Sequence, residues 1–286
     1  MISCIICSRQ KDITVELKEN ISSTIGYEYE LVVIDNSKNE YSIFSAYNEG
    51  INRSRGDILC FMHEDVLYHT KGWGKIVSKV FDEVNIGVVG LIGSQFLPRT
   101  AAPWWLCTST KGQILQGYTD ENGTYRSIKD GKKISEVEDV VVVDGFWFCV
   151  KKDITLKTKF DVDTYNSFHC YDLDYCMQIL EMGKRVVVVP NLLVEHFSLG
   201  NINDLYYDQL RLFHRKWQEK LPKWCGIEIS QEVALWINEL LEGYQSAVYR
   251  NMIFKNMKSY KLKHSMLLVL KKIVKWMKKM YNTYSL

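Results

Sequence analysis

The sequence predicts an α/β fold, a mostly parallel central sheet flanked by helices, with a C-terminal helical extension. Three observations carry that expectation. Over the first 95 residues, short apolar, β-branched runs alternate with helix-sized polar or amphipathic segments, the signature of βαβ units. Each of the first three runs stops abruptly in polar residues: Ser8-Arg9, Asp35-Asn36-Ser37 and His63-Glu64-Asp65. In parallel sheets the binding crevice lies beyond the carboxyl ends of the strands, so these clusters share one edge. Finally, charge is unevenly spread. No acidic residue follows Glu242, whereas Arg250 and nine lysines do, so the tail carries +10 and residues 1–242 carry −8.

The elements follow in order. Residues 2–7 read as the first strand and 12–23 as a helix-compatible stretch. Residues 30–34 form the second run, 42–54 suit a helix, and Arg55-Gly56 marks a turn before the third run, 57–62. An amphipathic segment, 73–84, leads to a fourth strand, 86–92. Gly87, Gly90 and Gly93 fall inside or against that strand, the wrong setting for a dinucleotide loop. Residues 95–138 are rich in Gly, Thr, Lys and aromatics without periodicity, and read as loops and short hairpins over the crevice. Residues 140–150 are strand-like, interrupted by Asp144-Gly145. A helix over 172–182 should stop at Gly183, a buried strand over 185–189 at Pro190, and a helix over 204–220 before Pro222.

A chain of 286 residues, about half apolar and with four prolines, can bury a sizeable core and contains no low-complexity tract. Its eight cysteines lie mostly in apolar runs. Cys4 and Cys7 form a CxxC within a strand and have no second pair to complete a zinc site, so reduced thiols are expected. The opening MISCIICSRQKD lacks the basic and long apolar regions of a signal peptide, and no window is apolar enough to span a bilayer. The expected location is the cytoplasmic side.

Four constellations carry chemistry. In an extended chain His63 and Asp65 point the same way, which suits a shared metal; a helix-capping turn at Asp65 is the structural alternative. Histidine beside carboxylate and phosphate oxygens favours Mn²⁺ over Mg²⁺. Asp172 and Asp174 open a helix, where acidic residues either offset the dipole or serve chemistry, Asp172 as a general base and Asp174 by holding the local structure or a neighbouring side chain. His196 lies just past a strand end, as a ligand or a hydrogen-bonded structural residue. Trp104, Trp105 and, after Asp144-Gly145, Trp147 either stack on sugar faces or pack in the core.

The ordered set of these motifs resembles the family 2-like GT-A glycosyltransferases, in particular a bacterial branch with a His-x-Asp-Val metal motif. The residues carrying the resemblance are Cys7-Ser8-Arg9, the stretch from Val33 to Ser37, Tyr47-Asn48-Glu49-Gly50, the stretch from Gly56 to Val66, Val143-Asp144-Gly145, Phe160-Asp161, Tyr171-Asp172-Leu173-Asp174 and His196. It implies a Rossmann-like GT-A catalytic domain over residues 1–221 and leaves 222–286 as a C-terminal helical region. It further implies that Asp35 pairs with the nucleotide base, with Cys7, Ser8, Arg9, Asn36, Asn48 and Glu64 on the nucleotide side. Asp65 would bind the metal together with His196 and His63. Asp172 would be the base of an inverting displacement, and Asp144, Gly145, Trp147 and Asp174 would face the sugar or acceptor. Two positions depart from the family pattern: His63 replaces an aspartate, and Tyr171 replaces the acidic residue that usually precedes the base.

The implied activity moves a sugar from a nucleotide-sugar donor, with uridine diphosphate the expected carrier, to a glycan or lipid-linked glycan in bacterial surface polysaccharide synthesis. A pyrophosphorylase would need a glycine-rich phosphate loop after the first strand, and Cys7-Ser8-Arg9-Gln10-Lys11 has no glycine. The remaining alternative is a catalytically degenerate, membrane-associated sugar-nucleotide or glycan-binding scaffold. Residues 255–281 place Leu262, Met266, Val269, Leu270, Ile273, Trp276, Met277 and Met280 on one stripe against lysines. Such a helix suits an anionic membrane surface, giving a peripheral location on the inner face of the cell membrane; no recognition fold accompanies the charge, so no nucleic-acid partner is expected.

Overall fold

The structure is a computed structural model that describes residues 1–106, 109–120, 122–198 and 202–226. The basic segment 255–281 lies outside the described residues.

The first half follows the expected alternation. Strand β1 (Ile2–Ser8) leads to helix α1 (Val15–Thr24), β2 (Tyr29–Asp35) to α2 (Ile43–Arg53), and β3 (Ile58–Met62) to the short β4 (Val66–Tyr68) and α3 (Trp73–Val80). The strands β5 (Ile86–Gly90), β6 (Ile92–Ser94) and β7 (Phe96–Leu97) follow closely. Then come β8 (Thr110–Thr119), β9 (Tyr125–Lys132), β10 (Glu138–Val140), β11 (Val142–Val143) and β12 (Trp147–Lys151). The short helix α4 (Lys152–Thr155), α5 (Tyr171–Glu181), β13 (Arg185–Val188), β14 (Val194–His196), α6 (Asp204–Lys216) and β15 (Lys223–Trp224) complete the described chain.

A seven-stranded sheet, ordered β10-β13-β5-β12-β3-β1-β2, forms the centre. β1 is parallel to both β2 and β3, and β13 is parallel to β5; β12 runs antiparallel between β3 and β5. A second sheet, β11-β6-β8-β14-β4 with β9 on β8, lies beyond the carboxyl ends of the parallel strands. Past residue 221 the chain stays on this body, because β15 pairs with β7.

Capping explains the helix starts: Thr14, Ser42 and Asn203 accept the N–H of Leu17, Ser45 and Tyr206 respectively. Gly183 ends α5 at φ +71°, as its sequence position implied. Two expected strands prove to be split between the sheets. The run 86–92 divides at Leu91 into β5 and β6, and 140–150 divides into β10, β11 and β12. The close crossing needs glycine: a Cβ on Gly93 would stand 2.1 Å from the Val142 carbonyl oxygen. Another correction concerns residues 95–138, where one long hairpin, β8–β9, replaces the short hairpins expected. β9 is solvent-exposed along its whole length, so no apolar alternation announces it.

The core is dominated by aromatics and β-branched residues. Trp73 stacks on Tyr68 at 4.5 Å, and the buried Trp147 meets Trp73 edge-on while its Nε1–H donates to the Tyr68 hydroxyl at 2.8 Å. Trp147 is therefore a core residue and corrects the expectation of a sugar platform. Cys4, Cys60 and Cys149 lie side by side on β1, β3 and β12 as buried free thiols.

Candidate active site

The parallel register brings three strand ends to one edge. Ser8 lies opposite Asp35, and Ile6 opposite Met62. β12 runs the other way, with Trp147 opposite Met62, so Asp144-Gly145-Phe146 reaches the same edge as the lead-in to that strand. The His63 N–H donates to the Phe146 carbonyl at 2.9 Å, which fastens the two together. From the second sheet, His196 lies opposite Val66, and the Phe197 N–H donates to the Asp65 carbonyl at 2.9 Å.

Three donor atoms converge there. His63 Nδ1 is 3.3 Å from His196 Nε2 and 3.8 Å from Asp65 Oδ1, and the latter two are 3.6 Å apart. A point equidistant from all three lies about 2.1 Å from each, the length of a bond from imidazole nitrogen or carboxylate oxygen to a divalent transition metal. This is the one cluster of three His, Cys, Asp or Glu among the described residues that can hold an ion. Two imidazoles and a carboxylate suit Mn²⁺ or a later metal better than Mg²⁺, which prefers oxygen ligands. The residues fit the ion that the sequence implied.

Other groups surround these donors. Phe146 stacks on the His196 ring at 4.7 Å, and Ser198 Oγ lies 3.2 Å from His196 Nε2, the nitrogen that faces the convergence point, and so adds an oxygen to the cluster. His63 Nε2 is 2.8 Å from the Tyr171 hydroxyl. Burial, reinforced by the neighbouring His196, lowers His63 to about 4, so the ring is neutral at physiological pH and free to ligate. Burial alone would raise Asp65, but the hydrogen bond and charge of His196, with help from His63 and Ser198, hold it well below the usual carboxylate range.

Two carboxylates, Asp144 and Asp172, lie beside residues that touch this cluster: Phe146 stacks on His196 and Tyr171 bonds His63. Asp172, in the first turn of α5, accepts the Leu173 N–H at 2.9 Å. Burial first, and then the Asp144 carboxylate, push Asp172 up to about 7, against the lowering effect of backbone N–H groups that include Gly145. Asp144 is raised too, chiefly by burial, and it accepts the Phe146 N–H at 3.0 Å. A carboxylate with that basicity matches the task of taking a proton from a hydroxyl near neutral pH.

At the rim expected to meet the nucleotide, Glu64 folds back onto the end of β1. It accepts the Ser8 hydroxyl at 2.6 Å, the Arg9 N–H at 3.3 Å and Arg9 Nε at 2.9 Å. Asn36 donates its N–H to the Ser8 carbonyl at 2.8 Å and closes the following turn through Tyr41. Asp35 is exposed and held low by Ser37, and the half-buried Cys7 thiol is pushed up to about 11 by burial. Ser8, Arg9, Asp35, Asn36 and Glu64 thus share one rim.

Two assignments change. Asn48 spends its amide on the backbone of Phe160, donating at 2.8 Å and accepting at 3.0 Å, so it clips α2 to the loop before α5 instead of offering that group to a nucleotide. Asp174 is buried on the far side of the helix turn, bonded to Trp217 Nε1 at 2.8 Å, Gln178 at 2.8 Å and Lys216 at 2.7 Å. It secures α6 to α5 and does not face an acceptor. Sequence reading gave no supporting role to Phe146 or Ser198, although each stands next to or two residues from a residue it named. Trp105 is half-buried and packs with Trp104 and Tyr206 at 5.8 and 5.7 Å.

A model of the Glycosyltransferase like family matches residues 1–231. No protein of curated function matches the sequence. Among solved structures, the chain is similar to GalNAc-T7 with UDP, GalNAc and Mn²⁺, at 11% identity and a TM-score of 0.47, covering 72% of this chain and 45% of that one. The chain therefore spans less than half of that protein. It is also similar to the mannosyltransferase PcManGT from Pyrobaculum calidifontis in complex with GDP-Man and Mn²⁺, at 11% identity and a TM-score of 0.49, covering 95% and 86%. A further likeness, to A197 from STIV, has 14% identity and a TM-score of 0.39 over 69% and 85%.

Proposed function

The chain belongs to the Glycosyltransferase like family, and from that premise we propose that it transfers one sugar, with inversion, from a nucleotide-sugar donor to a hydroxyl of a glycan acceptor. The observation that carries this reading is the convergence of His63, Asp65 and His196 on one point beside the Asp144–Asp172 pair. A divalent cation at that point, Mn²⁺ in preference to Mg²⁺, supplies charge neutralisation for the departing diphosphate.

The remaining work falls to side chains. Asp35 hydrogen-bonds the base, with uracil the preferred one, and the Ser8–Arg9–Glu64 brace shapes the wall beneath it. Arg9 keeps its guanidinium exposed at the rim, where it can meet a phosphate. Asp172 takes the proton of the attacking hydroxyl, and Asp144 keeps its partner basic enough to do so. The partly buried Trp105 and exposed Phe168, near Tyr206 and His63 respectively, offer aromatic faces to the acceptor. The acceptor class we favour is a growing bacterial surface glycan, lipid-linked, reached from the cytoplasmic face with the lysine-rich segment 255–281 resting on anionic headgroups.

Purified full-length protein, screened with UDP-, GDP- and dTDP-sugars, should hydrolyse or transfer from one of them with Mn²⁺ and lose that activity with EDTA. Asp172→Asn should lower the rate about 10²–10⁴-fold. A protein that binds none of these donors with metal present would be a scaffold, and an Asp172→Asn enzyme at full rate would remove that residue from its role.

A further inference from the structure

His63 reaches the convergence point through Nδ1, and only one of its two neutral tautomers leaves a lone pair on that nitrogen. The other ring nitrogen, Nε2, must then carry the proton and needs an acceptor. The acceptor within reach is the Tyr171 hydroxyl, 2.8 Å away. We propose that Tyr171 is a positioning residue that holds His63 as the Nε2–H tautomer, so that Nδ1 faces the point shared with Asp65 and His196.

Several independent features fix that hydroxyl. Tyr171 is buried, with its ring edge-on to Tyr47 at 5.5 Å and to Phe44 at 6.3 Å. Gly145 leaves room for the phenol: a Cβ there would lie 2.5 Å from the Tyr171 oxygen. The imidazole is held at its other end, because the His63 N–H is bonded to Phe146 and its ring abuts Phe168 at 5.7 Å. With backbone and Nε2 both anchored, Nδ1 has a single direction. The pair also joins the two positions at which the sequence departs from the pattern it resembles. A histidine ligand needs a partner behind it that an aspartate does not, and Tyr171 supplies one.

The inference rests on the metal reading above, and its test separates the two. Mn²⁺ alone, titrated into full-length protein and followed by electron paramagnetic resonance, should bind the wild type and bind Tyr171→Phe about 10–100-fold more weakly, the usual effect of removing the group behind a histidine ligand. In a His63→Ala background the same Tyr171→Phe change should have no further effect on Mn²⁺ affinity, an outcome that general damage to the fold would not give. Long-range ¹H–¹⁵N correlation spectra of the metal-free wild type should show the His63 proton on Nε2, which needs no variant at all. A proton on Nδ1, or undiminished Mn²⁺ binding by a folded Tyr171→Phe protein, overturns the positioning role while leaving the metal site standing. Wild-type protein that takes up no Mn²⁺ overturns both.

Discussion

Asp172 sits where opposing forces meet. The helix N-terminus and the Leu173 and Gly145 N–H groups favour its charge, while burial and the Asp144 carboxylate oppose it more strongly, leaving it at about 7. An acid raised on folding binds more protons in the native than in the unfolded state between the unfolded value, near 4, and 7. Stability therefore falls as pH rises through that window and stays lowered above it. Asp172→Asn should accordingly melt higher than wild type at pH 8, on the order of 5 °C, with the advantage shrinking toward pH 4. The wild-type rate should rise along its acid limb near pH 7. Scanning calorimetry of the metal-free proteins at pH 4 and 8 checks the first statement, and a pH–rate profile the second. A residue whose replacement stabilises the fold while removing activity marks a site where function opposes stability. The clustering of His63, Asp65 and His196 was legible because each directly follows, precedes or ends a strand. Trp147 and Asp174 were not: one helix or strand position to either side turns a side chain from crevice to core, and sequence spacing alone does not say which.

At the scale of elements, side chains set the joints between α2, α5 and α6. Asn48 on α2 holds both backbone groups of Phe160, whose ring packs on Tyr47 at 5.3 Å, Phe61 at 5.0 Å and Tyr175 at 4.6 Å. Asn48→Ala leaves two partly buried backbone groups without partners and should cost about 1–3 kcal/mol. Denaturant unfolding measures that loss, and hydrogen exchange should place it in the loop between α4 and α5. On the other side, Lys216 of α6 pairs with Asp161 and Asp174, each at 2.7 Å, beneath the Tyr165 ring. The alternation of strands and helices could be read from the apolar runs because these elements bury one face each. The β8–β9 hairpin was hidden because its outer strand buries nothing, and the divided strands were hidden because an unbroken apolar run does not record where a chain changes sheets.

For the molecule as a whole, charge is divided along the sequence. Residues 1–242 carry −8 and the remainder +10, and among the described residues no helix is long and apolar enough to cross a membrane. If the basic segment holds the enzyme at its lipid-linked acceptor, a chain ending at residue 226 should keep Mn²⁺ and donor binding yet no longer sediment with vesicles containing phosphatidylglycerol. Full-length protein should sediment with them at low salt and be released as ionic strength rises. Equal sedimentation of the two chains would assign the lysines another task.

The seam between the two sheets has a final consequence. His63 extends from β3 of the central sheet, His196 closes β14 of the other, and Asp65 occupies the short link between β3 and β4. An ion gripped by all three would act as a rivet through both layers. By reciprocity, whatever loosened the layers would weaken the grip.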